Sequence, residues 1–355
     1  LNDLRKNNFE NIDLVIVNFY PFEKTLETTN NHKKIIENID VGGPAMVRSA
    51  AKNYNDVTVV ISIDQYQELI DEMNKYNGAT SLKFREKLSR TAFTETAYYD
   101  SIISSYFNKK TNTQLPKKKI FSANLIETLR YGENPHQFSG YYSKNLKTNL
   151  KQLQGKQLSY NNYNDIFAAL SISKCLAKNK GTVIVKHANP CGVSIKSNPL
   201  DSYNSALACD PVSAFGGIVS FNFKIKKNLA IELSKLFLEV IIANGFDNNA
   251  LKIFKSKKNL RLIDATNYSI NEITKFTSSN EAILVQSEDL KIFKNKDFKV
   301  VSKKKPNSKQ IRNLIFAFNV CRYVKSNAIV LAANEVTVGI GSGQPSRLDS
   351  CDIAI

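Results

Sequence analysis

The stretch VIVKHANPCG, residues 183–192, places a lysine and a histidine side by side at the end of a β-branched run. Only three histidines occur in 355 residues. Successive side chains of a strand point to opposite faces. Lys186 and His187 can therefore serve one pocket only where the strand has ended, and ANPCG supplies that ending. A second positive charge beside an ammonium is disfavoured, so the pair suits a neutral imidazole. Such a ring can take a proton as a general base. The lysine can donate to a developing oxyanion or to a leaving nitrogen. Taken alone, the dipeptide also describes a histidine capping a turn beside a solvated lysine.

Two neighbouring motifs invite sharper chemistry. Zinc deaminases carry His-x-Glu and Pro-Cys-x-x-Cys, but here Gly-Val-Ser follows Cys191 and Ala-Asn follows His187. The second thiolate and the glutamate are both missing, so a tetrahedral zinc site is not indicated. Cys191 is either a nucleophile or a small apolar turn residue. GIGSGQPSR (339–347) is neither a Walker A loop nor a GxGxxG between strand and helix. It reads as a strand end that a ligand approaches, or as a plain glycine turn.

The elements that must position these residues follow from periodicity. LVIVNFYPF (14–22) reads as a buried strand stopped by Pro21. NIDVGGPAMVRSAAKN (38–53) reads as a turn and a helix, with Pro44 in the first helical turn. VTVVI (57–61) is a second strand, and helices follow over 64–76 and 81–107 with Asp64 and Ser81 as N-caps. Strand, helix, strand and helices make an α/β layer domain. The polar, basic segment 108–119 reads as a linker. Beyond it we expect turn chemistry at 129–137 and a helix within 155–177. A strand followed by a loop is expected over 181–195, and a helix, Gly-Gly turn and strand over 201–222. A further strand is expected at 238–243, then a helix and a hairpin-like strand pair over 308–347.

Composition bounds the function classes. Lysine and arginine outnumber aspartate and glutamate 49 to 32, a formal charge of +17. The lysines are dispersed, and no zinc-finger spacing, RNP aromatic pattern or long basic helix accompanies them. A solvated surface that attracts anionic small molecules fits better than a nucleic-acid interface. No apolar run approaches the ~18 residues of a membrane span. The five scattered cysteines suit free thiols in a reducing cytoplasm.

NFYPF, ENIDVGGPAMVRSAAKN, LRYGENPHQ, GKQLSYNN, VKHANPCGVSI, DPVSAFGGIVSFN and YVKSNAI followed by GIGSGQPSR occur in one order. Together they resemble the bifunctional purine-biosynthesis family, AICAR formyltransferase/IMP cyclohydrolase, over essentially the whole chain. The resemblance implies an internal fragment lacking both ends, including a KTLHP-type lysine segment, and hence no cyclohydrolase turnover by the fragment itself. It implies an α/β fold: a methylglyoxal-synthase-like domain (1–110), a cytidine-deaminase-like transferase subdomain (111–302) and the start of a second (303–355). It implies formyl transfer from 10-formyltetrahydrofolate to AICAR and cyclisation of formyl-AICAR to IMP, in a cytoplasmic homodimer. No catalytic zinc is expected, and a monovalent cation is left open. By matching motif, Lys186, His187 and Asn327 would be catalytic in the transferase. Arg130, Tyr131, Asn161, Phe215, Gly216, Glu239 and Arg347 would bind substrate. Tyr20, Asp40 and Lys52, with Asn18 alongside, would serve the cyclohydrolase. In isolation, Asp40 and Lys52 describe helix-end capping and a surface charge. The alternatives to the enzyme are a basic nucleic-acid-binding protein and a non-catalytic remnant.

Overall fold

A computed structural model describes residues 6–144, 149–269 and 274–355. The chain forms two compact units, Leu1–Ala123 and Asn124–Ile355. Among the described residues, no helix is long and apolar enough to cross a membrane.

In the first unit, β1 (Leu14–Ile16) pairs in parallel with β2 (Thr58–Val60). Parallel neighbours need a crossover, and α1 (Phe22–Thr28), α2 (His32–Glu37) and α3 (Gly42–Lys52) supply it. After β2 come α4 (Tyr66–Lys75) and α5 (Leu82–Lys110). Val47 and Ala51 of α3, Val59 and Val60 of β2, Leu69 of α4, and Phe84, Leu88 and Ala92 of α5 form one core. The expected strand over 14–22 is shorter than its apolar run. The Val17 amide still reaches the Val60 carbonyl, but Pro21 has no donor to continue the ladder. Ser81 caps α5 as expected, accepting from the Phe84 amide at 3.3 Å. Asp64 is not the cap before α4. Ser62, in extended conformation, accepts from the Asp64 amide at 3.2 Å and starts a short 3-10 turn. Helix α5 runs to Lys110, into the expected linker, and 111–123 groups with this unit, where Ser122 bonds Ser101.

In the second unit, β3 (Asn124–Thr128) and β4 (Gly140–Ser143) form an antiparallel ribbon. Then follow β5 (Lys151–Gln154), α6 (Tyr160–Ser173), β6 (Gly181–Lys186), β7 (Asn189–Ile195), α7 (Pro199–Leu207) and α8 (Pro211–Ala214). The chain continues through β8 (Ile218–Phe221), α9 (Lys227–Leu233), β9 (Val240–Ala243), α10 (Asn248–Phe254) and β10 (Arg261–Asp264). A hairpin of β11 (Thr274–Ser279) and β12 (Ala282–Ser287) precedes α11 (Ser308–Cys321), β13 (Ile329–Ala333), β14 (Val336–Gly341) and α12 (Arg347–Ala354). Eight strands form one sheet in the order β13-β14-β7-β6-β8-β9-β10-β5.

Strand alternation sends apolar residues to both faces of this sheet. Val183, Val185, Ile218, Val240 and Ile242 pack with Ile166 of α6 and with Phe316 and Val320 of α11. Ile184, Val219, Phe221 and Ile241 pack the other way, with Tyr203 of α7, Leu229 of α9 and Phe254 of α10. The result is helix, sheet and helix in three layers. The expected division at 302/303 does not separate compact units, because β13 and β14 extend the same sheet as β6–β10.

One expectation about loops is corrected, while the strand end expected at GIGSG is present, with β14 closing at Gly341. VIVKHANPCGVSI is a hairpin, not a strand and a loop: Lys186 pairs with Asn189 across the two-residue turn His187–Ala188. The glycines of GIGSG chiefly admit a helix. A Cβ on Gly339 would overlap the Ala354 carbonyl oxygen, and one on Gly341 would overlap that of Ser350, so α12 lies directly on β14.

Candidate functional site

Strand polarity gathers the residues that the resemblance assigns to formyl transfer. β6 runs antiparallel to β8, and β8, β9 and β10 are mutually parallel. The C-terminal end of β6 therefore lies beside the N-terminal ends of β8, β9 and β10. Lys186 and His187 close β6, Phe215 and Gly216 precede β8, Glu239 precedes β9, and Arg261 opens β10. β14 is antiparallel to both β7 and β13, so the Asn327 segment before β13 comes to the same edge.

At its centre is the His187–Ala188 turn. Both residues are left-handed, with φ of 52° and 59°. For residues bearing a Cβ, this conformation costs on the order of 1–2 kcal/mol each. Two-residue hairpins need it, which is why Asn-Gly is their usual sequence. The Ala188 amide donates to Asp165 Oδ1 at 2.7 Å, and Asn189 Nδ2 donates to the His187 carbonyl at 3.1 Å. Burial raises the Asp165 pKa, while the amides of Ala188 and His187 and the His187 ring oppose the rise. The His187 side chain is exposed at the turn. Lys186 Nζ donates to the Phe215 carbonyl at 2.7 Å. Gly216 follows with φ +69°, and the exposed Phe215 ring lies 5.3 Å from that of Phe237.

On one side of this turn, Glu239 organises a polar cluster. Its Oε2 accepts from Asn162 Nδ2 at 2.8 Å and lies 3.6 Å from Arg261 Nη1. Asn162 and Arg261 are buried, and Arg261 Nε donates to the Gln157 carbonyl at 3.2 Å. Burial lowers the Arg261 pKa and Glu239 opposes it, with the Arg130 guanidinium adding to the fall. Arg130 stacks its guanidinium over Tyr131, 5.7 Å from the ring centroid. Two guanidiniums and a phenol thus face one end of the sheet, a combination suited to a phosphate. Asn161 is exposed and donates to the Glu133 carbonyl at 3.3 Å.

On the other side, the Lys325 amide donates to Asn189 Oδ1 at 3.3 Å, tying the Asn327 segment to the hairpin. Asn327 Nδ2 donates to the carbonyls of Gln344 (3.0 Å) and Pro345 (2.7 Å), leaving its Oδ1 as acceptor. The Ser326–Asn327 peptide is cis. Arg347 opens α12 and is exposed. Cys191 is half-buried, and burial pushes its thiol up to about 12, helped by Asp210 and opposed by Lys186. A thiol held protonated in this way is a packing residue rather than a nucleophile. Among the described residues, no group of three or more His, Cys, Asp or Glu could hold a metal ion.

In the first unit, the Tyr20 amide donates to Asp40 Oδ2 at 3.3 Å, and the Gly43 amide donates to Asp40 Oδ1 at 2.8 Å. Asp40 thus caps the start of α3 and fixes the Tyr20 backbone. Its own amide donates to the buried Tyr99 phenol at 2.9 Å. Asn18 Nδ2 donates to the Tyr66 hydroxyl at 3.3 Å. Lys52 is not brought to this group. It ends the eleven-residue α3, which rises ~1.5 Å per residue, at the opposite end from Gly42. It also leads into the N-terminal end of β2, whereas Asn18 and Tyr20 follow the C-terminal end of parallel β1.

The model of the AICARFT/IMPCHase bienzyme family matches residues 50–355. The chain belongs to that family. It is 45% identical over 349 residues to the bifunctional purine biosynthesis protein PurH of Rhodospirillum rubrum, covering 97% of this chain and 66% of the relative. The PurH of Bradyrhizobium diazoefficiens is 46% identical over 351 residues, at 97% and 66%. That of Bartonella tribocorum is 44% identical over 359 residues, at 99% and 67%. The chain thus spans about two thirds of the length of these AICARFT/IMPCHase relatives.

Sequence reasoning within this bienzyme family missed four residues of the second unit: Asp165, Asn162, Arg261 and Asn189. Asn162 and Asp165 stand three apart on α6 and so share a face, a pattern the sequence does carry. Arg261 and Asn189 give no local signal.

Proposed function

We propose that the protein acts in de novo purine biosynthesis, moving a formyl group from 10-formyltetrahydrofolate to the 5-amino group of AICAR. The parent polypeptide then closes formyl-AICAR to IMP with loss of water. The observation that carries this reading is the single sheet edge holding the Lys186–His187 turn, the Phe215–Gly216 turn, the Glu239–Arg261 pair and Asn327. The AICAR amine attacks the formyl carbon and must lose a proton as the C–N bond forms. His187, exposed on its turn, takes that proton. Lys186 stabilises the oxyanion, exchanging its Phe215 carbonyl for it, and as the tetrahedral centre collapses folate N10 departs with the proton that His187 took, which restores the neutral imidazole. Asn327 orients the formyl oxygen or amide. Arg130, Tyr131, Arg261 and Glu239 hold the nucleotide, Asn162 rather than the outward Asn161 supporting Glu239, with Arg347 at the far side.

Cyclisation falls to the first unit, where Tyr20 and Asp40 lie together. Lys52 takes part there only if the substrate or a further segment bridges the length of α3. The reading brings a methylglyoxal-synthase-like first unit and a cytidine-deaminase-like second unit without zinc. It also brings a homodimer in the cytoplasm and room for a monovalent cation. The test is His187→Ala in the full-length polypeptide, assayed for tetrahydrofolate release from 10-formyltetrahydrofolate and AICAR. Loss of a general base lowers kcat by ~10²–10⁴-fold, with the melting temperature and IMP formation from formyl-AICAR unchanged. Wild-type transfer by a stably folded variant would falsify the assignment.

A further inference from the structure

We propose that Asp165 is a positioning residue for formyl transfer: its carboxylate holds the His187–Ala188 turn left-handed and so aims the His187 imidazole. The inference rests on the base role assigned to His187 above. Neither residue of the turn is glycine, yet both have positive φ, a shape that alanine in particular resists. An external hold is therefore required, and Asp165 Oδ1, 2.7 Å from the Ala188 amide, provides it. The hold is stiff on the helix side. Asp165 is followed on α6 by Ile166, and Ile166 and Ala169 are fully buried against the sheet. It is also stiff on the far side, where Asn189 bonds both the His187 carbonyl and the Lys325 amide. In this role Asp165 acts through the backbone of the turn rather than on substrate.

Three full-length variants test this: Asp165→Ala, Asp165→Asn, and Asp165→Ala combined with Ala188→Gly. Misplacing a catalytic group by about 1 Å costs up to about 10²-fold in rate. Asp165→Ala should therefore lower kcat for formyl transfer by ~10–10²-fold, with the KM for AICAR nearly unchanged. Asp165→Asn keeps a carbonyl acceptor and should recover most of the loss. Ala188→Gly should also recover activity in the alanine background, because glycine is left-handed without steric cost. A purely structural aspartate would not be rescued by a glycine in the turn. Undiminished kcat in Asp165→Ala, or a loss that neither change relieves, overturns the proposal. Hydrogen exchange of the Ala188 amide separates this from the function itself. Protection in the wild type that vanishes in Asp165→Ala supports the hold even if formyl transfer is absent, whereas an amide unprotected in the wild type refutes it.

Discussion

Removing Glu239 should weaken the second unit and, on the proposed function, its grip on the nucleotide as well. Glu239→Ala deletes the acceptor of the buried Asn162 amide, a hydrogen bond of 2.8 Å to a carboxylate. Bonds to charged groups contribute about 1.5–3 kcal/mol net. The Arg261 contact, at 3.6 Å, has a gross Coulomb attraction of about 4–5 kcal/mol at an effective dielectric of 20. The Glu239 side chain is 42% exposed, however, so screening and desolvation reduce the net to about 1 kcal/mol or less. Arg261 also keeps its bond to the Gln157 carbonyl, so its charge is not stranded. The sum is roughly 2–4 kcal/mol. At about 2–4 °C per kcal/mol for a domain of this size, the melting temperature should fall by roughly 5–15 °C. Glu239→Gln retains an acceptor for Asn162 and should lose less than half as much. If Glu239 also holds the nucleotide, KM for AICAR should rise more than kcat falls in both variants. Thermal melting with steady-state kinetics reads both effects. Equal melting of the Gln and Ala variants would refute the reasoning, because it would mean that the Asn162 bond contributes nothing.

Gly339→Ala should destabilise by about 1–3 kcal/mol or more, since its Cβ would overlap the Ala354 carbonyl and lift α12 from the sheet. Gly343→Ala, with φ +70° and no atom nearer than the Lys325 side chain at 3.7 Å, should cost only ~1 kcal/mol of left-handed strain; paired denaturant curves compare the two. Native Cys191 should resist iodoacetamide from pH 7 to 9, because a thiol raised to about 12 yields thiolate only at higher pH. Peptide mapping by mass spectrometry should find it alkylated rapidly only after unfolding, and rapid native labelling would contradict the assigned burial.

What the sequence reveals depends on the distance over which each feature is decided. Ser81 is legible as a cap because its partner is the Phe84 amide, three residues on. The runs at 183–185 and 240–242 are legible as central strands because burial on both faces leaves continuous apolar stretches. The His187–Ala188 hairpin is not legible. Its turn lacks the glycine that announces such turns, and its shape is imposed by a carboxylate 23 positions away. Ser62 displaces Asp64 as cap for a subtler reason: an extended backbone just before the 3-10 turn favours the earlier residue. The site shows the same division. Lys186 and His187 can be named from a local motif and Glu239 from the family resemblance, but their meeting is a matter of strand direction, which periodicity does not encode. Had β6 run parallel to β8, Lys186 and His187 would stand at the opposite edge from Phe215 and Glu239, with every local motif unchanged. The short hairpin fixes β6 antiparallel to β7, and the β6–β8 ladder fixes it antiparallel to β8. The candidate edge is therefore a product of pairing: residues legible one at a time come together only through the order and direction of eight strands.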